Sequence, residues 1–565
     1  MAKLTDAQRA QLKLKLRLWG RKWWNRIWPA GAVIALGAGG ATGFEPWHLW
    51  PLTLLSIAGL GWLVSRVAGP GWAFFCGWLW GVGHFSAGNN WIATAFTYQS
   101  KMPAALGGAA VVGLSLYLAV WPGLAALLAW YFRDRPVARV TGFAGAWILA
   151  ELGRAWVITG FAWNPLGAVL LGGFAHPGLA GLAPWLGTYG LSGLVVLLAG
   201  CLGEGVRLWR DIRAALALRP ANDDGADPRR ALRVAGALVA GPLVLVGAGM
   251  VWPTPAERVG RVAYTLIQPN VSQEDLDDPA HFDAQFRQSA ALSAPRPGPH
   301  WRAGQPRLVL WPESGVPEFV RDGYPAWYYA YTFGNDPWLA RLRLGRVIGP
   351  GGVLLTGTVD LDLKGEEAVG GQNVITAIND QGKITATYAK AHLVPFGEYL
   401  PFRSILKPLG LERLVPGNID FRPGPGPATV DLGPLGRAGM QICYEIIFSG
   451  QTTDRAHRAD YLFNPSNDGW FGAWGPPQHL AQARLRAIEE GLPVLRSTTN
   501  GVSAVVDSSG VVRAHVPRYQ AGRLDGLIPA ASAPTWFSRW GNMVPVAIAV
   551  LLLGASTLVL RSRRG

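Results

Sequence analysis

Gly439-Met440-Gln441-Ile442-Cys443-Tyr444-Glu445 is an apolar, strand-like run that ends on a cysteine and passes at once to a tyrosine and a carboxylate. A strand that stops there presents a thiol at the end of a sheet. Such a thiol is a nucleophile only if a base and an oxyanion donor stand beside it. Outward from this run, similar short strands are read at 262–268, 308–311, 353–357, 373–378, 461–464, 494–498 and 503–506. Helix-like stretches lie between some of them, for example 478–490, which Gly491 stops. Strands alternating with helices predict a layered α/β domain over 252–543, large enough to hold its own core.

The flanking sequence has a different texture. Half of the 565 residues are hydrophobic and only 15% are charged, which argues against a purely soluble protein. Apolar stretches long enough for membrane spans run over 28–44, 49–64, 71–91, 104–132, 140–159, 182–202 and 234–251, and an eighth, 544–560, follows the α/β domain. The first is short and glycine-rich, so a hairpin dipping into the bilayer is its alternative. The excess of 51 Lys and Arg over 36 Asp and Glu, +15, is not gathered on one face as a nucleic-acid binder requires. It falls in alternate connections: Lys3, Arg9, Lys13, Lys15, Arg17, Arg21, Lys22 and Arg26 in the N-terminal arm, then Arg66, then Arg133, Arg135 and Arg139, then Arg207, Arg210, Arg213, Arg219, Arg229 and Arg230, then Arg561, Arg563 and Arg564. Lys101 is the exception. Short cytoplasmic loops accumulate such residues, so both termini are expected inside and the α/β domain outside. The expected organisation is a basic cytoplasmic arm (1–27), a seven-span membrane domain (28–251), an exported domain (252–543) and a final span with a basic tail (544–565).

Cys76 and Cys201 lie in apolar spans, where a packed thiol is the ordinary reading. Cys443 is alone in the exported domain and has no disulfide partner there. Trp311-Pro312-Glu313-Ser314 puts a carboxylate just beyond another apolar strand, and Lys390-Ala391-His392-Leu393-Val394-Pro395-Phe396-Gly397-Glu398 supplies a cation and a second carboxylate. Taken singly, these are ordinary surface residues.

In the order Glu, Lys, Cys they resemble the nitrilase superfamily, which carries such a triad on an αββα sandwich. With the spans added, the chain resembles the apolipoprotein N-acyltransferases of Gram-negative inner membranes. In the exported part this rests on Gln268-Pro269-Asn270, on Trp311 to Ser314, His392 to Tyr399, Ile442 to Ile446 and Ser466 to Gly472, and on 495–502. Asn90-Trp91, Thr159-Gly160-Phe161 and Leu182-Ala183-Pro184 add weaker support. The resemblance implies Glu313 as general base, Lys390 as oxyanion stabiliser and Cys443 as nucleophile. It implies Glu398, Tyr444 and Glu445 as supporting residues, the Tyr444 N–H as a second oxyanion donor, and Trp470 near a lipid pocket. Asn373 also fits the family pattern, although a strand-edge asparagine is more often a ladder residue. A tryptophan that some members carry after the first strand is replaced here by Asp275-Leu276-Asp277. A carboxylate near pKa ~4.3 is a poor base for a thiol near ~8.5, so burial is expected to raise the first and Lys390 to lower the second.

The implied activity moves an acyl chain from a phospholipid, through a cysteine thioester, to the α-amino group of a diacylglyceryl-modified lipoprotein cysteine. Water must be excluded, and an apolar lid is expected from Trp327, Tyr328, Tyr329, Tyr331, Phe333 and Trp338, with Phe396 and Phe402, unless these rings cover the domain's own core. Glu151 and Arg154, three apart in a span, are expected to pair, with a lipid phosphate as the sharper alternative for the arginine. Gly77 and Gly81 form a small-xxx-small pattern that predicts helix packing within the chain. No metal motif or cofactor fingerprint is found. The competing readings are a membrane-anchored amidase that releases product to water, and a transporter or receptor that tolerates loss of Cys443.

Overall fold

The computed structural model describes residues 29–98, 103–217, 228–406, 408 and 420–562. The basic arm, Lys101, Arg219, Arg563 and Arg564 lie outside the described residues.

A helix stands at each of the eight expected apolar stretches. They are α1 (Pro29–Ala41), α2 (Trp50–Arg66), α3 (Pro70–Gly88), the tandem α5 (Leu106–Leu118) and α6 (Val120–Trp130), α7 (Pro136–Trp156), α8 (Ala183–Ala217), α9 (Arg229–Met250) and, after the α/β part, α16 (Met543–Arg561). A single turn of helix, α4 (Ile92–Ala95), follows α3. Leu106–Trp130, Gly178–Ala217, Arg229–Met250 and Met543–Arg561 are long and apolar enough to cross a membrane. At about 1.5 Å per residue, α1 covers only about 20 Å, short of a ~30 Å hydrocarbon core. Gly77 and Gly81 pack α3 on the α5–α6 tandem of the same chain: a Cβ at Gly77 would stand 2.4 Å from the Pro122 carbonyl oxygen, and one at Gly81 2.8 Å from Ala119 Cα.

The α/β part is two six-stranded sheets face to face. The first has the order β12-β1-β2-β3-β4-β5, built from β1 (Val259–Gln268), β2 (Leu308–Leu310), β3 (Val353–Lys364), β4 (Glu367–Asn379), β5 (Ile384–Ala389) and β12 (Gly522–Pro529). The second has the order β11-β10-β9-β8-β7-β6, from β6 (Ala428–Asp431), β7 (Arg437–Met440), β8 (Tyr461–Ser466), β9 (Val494–Thr498), β10 (Ser503–Val506) and β11 (Val512–Val516). Each sheet has a parallel centre, β1-β2-β3 and β7-β8-β9, with antiparallel flanks.

Alternation along the strands decides the layers. Leu266, Leu308, Leu310 and Leu355 meet Met440, Tyr461, Phe463 and Leu495 between the sheets. Ile267, Val309 and Leu354 point the other way, onto α12 (Pro337–Ile348), beside α11 (Phe282–Ser293). Short helices α10 (Gln273–Leu276) and α13 (Arg403–Leu406) sit in the connections. On the second sheet, Leu462, Val494, Ala504 and Val506 pack on α14 (Gly475–Glu490). The resulting order is helix, sheet, sheet, helix.

Helix α14 is polar in composition, yet it is almost wholly buried. One face lies on the second sheet, while Ala481, Leu485 and Ile488 join the core of the membrane helices. Its charges are satisfied across that seam. Arg484 donates to the carbonyls of Gly172, Gly173 and His176, and Glu489 accepts from the Thr188 N–H and the Ser449 hydroxyl. The chain then passes through α15 (Trp536–Trp540), where Thr535 caps the helix and also donates to the Glu489 carbonyl, into α16. Within α7, Arg154 and Glu151 approach to 3.7 Å, and Arg154 Nη1 donates to the Trp163 carbonyl at 2.7 Å. Both are buried, so the structural pairing holds.

Candidate active site

Glu313 and Cys443 hold matching places in the two sheets. Each comes three residues after the last residue of a central parallel strand, Leu310 of β2 and Met440 of β7. Carboxyl ends of parallel strands are where open α/β sheets place their ligands. Lys390 directly follows β5, tied back to β4 by its N–H on the Asn373 carbonyl at 2.9 Å. The strand run at Cys443 ends earlier than expected, at Met440. Cys443 itself opens a 3₁₀ turn, Cys443–Ile447, with φ +48°. That left-handed conformation is costly for a residue with a side chain and must be held by its surroundings.

Glu313, Lys390, Glu398 and Asn373 form one buried network. Lys390 Nζ donates to Glu398 Oε1 at 2.8 Å and lies 3.6 Å from Glu313 Oε1. Asn373 Nδ2 bridges the carboxylates, 2.7 Å from Glu313 and 3.0 Å from Glu398. Asn373 is thus a ladder residue by its backbone, while its side chain joins Glu313 to Glu398. The second oxygen of Glu313 accepts the Asn467 N–H at 2.7 Å, and that of Glu398 the Val394 N–H at 2.7 Å.

Burial alone would discharge Lys390, but Glu398 and Glu313 hold its ammonium well above the ordinary lysine range. The thiol behaves differently from expectation. Burial, reinforced by the Glu313 charge, pushes Cys443 well above its usual range, and Lys390 offsets only part of this. Burial and the Glu313 charge therefore favour a neutral thiol over a preformed thiolate.

Glu445 ties the two loops together. Its Oε1 accepts from Tyr388 Oη and from the N–H groups of Ala391 and His392 at 2.8, 2.7 and 3.1 Å, while Oε2 accepts the Ile442 N–H at 2.6 Å. Burial raises its pKa to about 7. Tyr444 reaches the membrane half, its hydroxyl 3.4 Å from the Gly160 carbonyl.

The remaining expected site residues fall elsewhere. Trp470 meets Tyr98 edge-on, with ring centroids 5.9 Å apart. Trp327 packs beside Tyr328, and the Arg341 guanidinium lies over Trp338, so the described contacts of these two rings are not with the triad. Trp327, Tyr331, Phe333, Trp338, Phe396 and Phe402 are exposed, whereas Tyr329 is buried. Most of that aromatic set therefore does not cover the domain's own core.

Sequence reasoning missed a second buried network. Asp468 accepts two hydrogen bonds from Arg496 at 2.8 Å and lies 3.2 Å from His479 Nδ1. His479 Nε2 stands 3.1 Å from the Cys443 carbonyl oxygen. Burial would raise the Asp468 pKa, but Arg496 and His479 bring it below the usual range. The available signal was Arg496 itself, a charge inside the otherwise uncharged β9 run Val494-Leu495-Arg496-Ser497-Thr498.

Comparison with known proteins agrees with both halves. Residues 36–201 match the family model described as the apolipoprotein N-acyltransferase N-terminal domain, and residues 307–536 match that of carbon-nitrogen hydrolase. Solved structures matching the α/β part include an amidase from Nesterenkonia sp., 17% identical over 48% of this chain and 92% of that one, with a TM-score of 0.30. A Saccharomyces cerevisiae member of branch 10 of the nitrilase superfamily is 18% identical over 49% and 93%, with a TM-score of 0.33. Curated apolipoprotein N-acyltransferases align along almost the whole chain. That of Azotobacter vinelandii is 34% identical over 95% of this chain and 96% of its own, and that of Allorhizobium ampelinum 32% over 95% and 96%. With relatives this similar over both the helical and the sandwich halves, the chain belongs to the apolipoprotein N-acyltransferase family.

Proposed function

We propose that the chain moves an acyl group from a phospholipid to Cys443 as a thioester, and from there to the α-amino group of the diacylglyceryl-cysteine of a lipoprotein. Lipoprotein N-acylation by a membrane-embedded bacterial enzyme is the activity its family membership carries. One observation favours Cys443 as the carrier at a lipid-facing site. Its turn continues into Tyr444, Ile446, Ile447 and Phe448, which share a core with Trp91, Ile148, Ala155, Trp163 and Tyr189 of the membrane half. A hydrolase of water-soluble amides has no use for a nucleophile seated on membrane helices.

In the first half-reaction Glu313 takes the Cys443 proton as sulfur attacks the ester carbonyl. The Lys390 ammonium and the Tyr444 N–H receive the developing oxyanion. Collapse expels the lysophospholipid alcohol, which carries off the proton held by Glu313. In the second, the neutral amine attacks the thioester, Glu313 takes its proton, and sulfur leaves and is reprotonated as the amide forms. An amine with pKa near ~8 has a usable neutral fraction at neutral pH. Asn373 and Glu398 orient Glu313 and Lys390, and Glu445 fixes the two loops. We further propose that the protein lies in the inner membrane with the sandwich on the outer side, which the alternation of Arg66, Arg133, Arg139 and Arg207 with connections that hold no arginine supports.

The test is mass spectrometry of the Cys443 peptide after incubation with phospholipid, then with a diacylated peptide bearing a free N-terminus. Acyl mass is expected on Cys443 and then on the peptide amine. Release of free fatty acid alone would replace this reading with a hydrolase.

A further inference from the structure

The nucleophile's carbonyl is held as deliberately as its sulfur. The Cys443 oxygen lies 3.1 Å from His479 Nε2 and 3.4 Å from Asn464 Nδ2, in a turn whose φ of +48° is unfavourable without such restraint. The peptide that carries this oxygen also carries the Tyr444 N–H, and a planar trans peptide points the two in opposite directions. A group that fixes the Cys443 carbonyl therefore aims the Tyr444 N–H.

One contact of His479 fixes where a ring hydrogen must sit. A carbonyl oxygen only accepts, so Nε2 must carry the hydrogen. Nδ1 meets both the Arg496 Nη2 donor at 3.0 Å and the Asp468 Oδ1 acceptor at 3.2 Å, so the Cys443 carbonyl is the contact that fixes a hydrogen on the ring. The opposite tautomer turns lone pairs against each other at the Cys443 oxygen. Asp468, 3.2 Å from Nδ1, is held by the same guanidinium through two bonds of 2.8 Å. The ring is fully buried. It also rests on the membrane half: the Trp163 ring lies 5.1 Å from it, centroid to centroid, and Trp163 Nε1 donates to the neighbouring Gln478 at 2.8 Å. The Trp163 carbonyl in turn accepts from Arg154, the partner of Glu151.

We propose that His479 is a positioning residue that aims the Tyr444 N–H at the oxyanion by gripping the Cys443 carbonyl, and that Trp163 locks it there, so that seating of the membrane half completes the acylation site. This rests on Cys443 being the acylated nucleophile. It separates His479, which never touches substrate, from the triad that does.

Two substitutions divide the imidazole's duties. In H479Q the amide nitrogen reaches roughly where Nε2 stood and keeps a donor for the Cys443 carbonyl. In H479N it reaches only the Nδ1 position and leaves that carbonyl without its imidazole donor. With the full-length protein in detergent, acylation of Cys443 is measured with a p-nitrophenyl ester, which needs the oxyanion donors but no lipid. Alkylation by iodoacetamide, which needs neither, is measured alongside it. H479N is expected to slow acylation about 10²-fold at saturating ester with KM changed less than about twofold, while alkylation and melting temperature stay near wild type. H479Q is expected to recover most of the loss, and W163L to lose about tenfold in the same sense. Equal losses in H479N and H479Q, or a parallel fall in alkylation, would overturn the role of His479. Unchanged acylation in W163L would overturn the lock. Wild-type protein that acylates from the ester but not from phospholipid would sink the acyl-transfer reading and leave this ranking intact.

Discussion

The two buried polar networks on either side of Cys443 are built from similar residues and do different things. The one following strands of the first sheet, Glu313-Asn373-Lys390-Glu398, joins two carboxylates through a lysine and an amide, and both Glu313 and Lys390 act electrostatically on the thiol. The one in the second sheet, Asp468-His479-Arg496, pairs one carboxylate with one guanidinium around a neutral ring, since burial and Arg496 push the His479 pKa down. The first is the network we assign to moving a proton, the second the one we assign to holding a backbone in place. Burial by itself distinguishes neither, so the partners of each carboxylate are the informative quantity.

The sharpest way to break this distinction is to neutralise one carboxylate in each network. Glu313→Gln is expected to slow Cys443 acylation about 10²–10⁴-fold with little change in melting temperature. Asp468→Asn is expected to cost about 3–5 kcal/mol of stability, because it leaves Arg496 buried without its counter-charge. Thermal unfolding and acyl-enzyme mass spectrometry of both variants decide it; if Glu313→Gln destabilises as much as Asp468→Asn, the division fails.

A smaller effect is expected at Asn373, which touches both carboxylates of the first network. Asn373→Ala should lower kcat about tenfold to 10²-fold and leave KM within about twofold, since the triad keeps its charges and loses only its alignment. A change confined to KM would instead make Asn373 a substrate contact.

A last expected effect, on stability alone, concerns a carboxylate in neither network. Burial, with Glu489 beside it, raises the Glu490 pKa to about 7 from an ordinary 4.5. The folded protein therefore holds a proton there that the unfolded chain releases, and this stabilisation is full below about pH 4.5 and lost as pH rises through about 7. Its total is on the order of 3 kcal/mol. Glu490→Gln should flatten the fall of melting temperature between pH 4.5 and 7 while leaving acylation near wild type. An unchanged slope would show that Glu490 is already ionised in the folded state.

The strands that pattern reading finds are the central ones, and the four it misses, β5, β6, β11 and β12, are the edges of the two sheets. A central strand is covered on both faces and reads as an apolar run, as in Leu308-Val309-Leu310. An edge strand such as Ile384–Ala389 alternates between half-buried and exposed positions over its first four residues and buries only Tyr388, so it carries little of that signal. Helix α14 was legible by its Gly491 stop, but its near-complete burial was not, because polar residues such as Arg484 find their partners in loops of the membrane half some 300 positions away.

What the amino-acid order determined by itself was every feature with a local cause: eight apolar helices, the central strands, the polar domain between them, and the presence of a glutamate, a lysine and a cysteine at strand ends. What tertiary structure alone decided was charge and direction. Glu313, Lys390 and Cys443 lie up to 130 residues apart and meet only because two sheets close on each other. Whether the thiol rests neutral, whether Asn373 serves the ladder or the site, and which group grips the Cys443 carbonyl all depend on desolvation and on partners distant in sequence. Local composition carries no record of either.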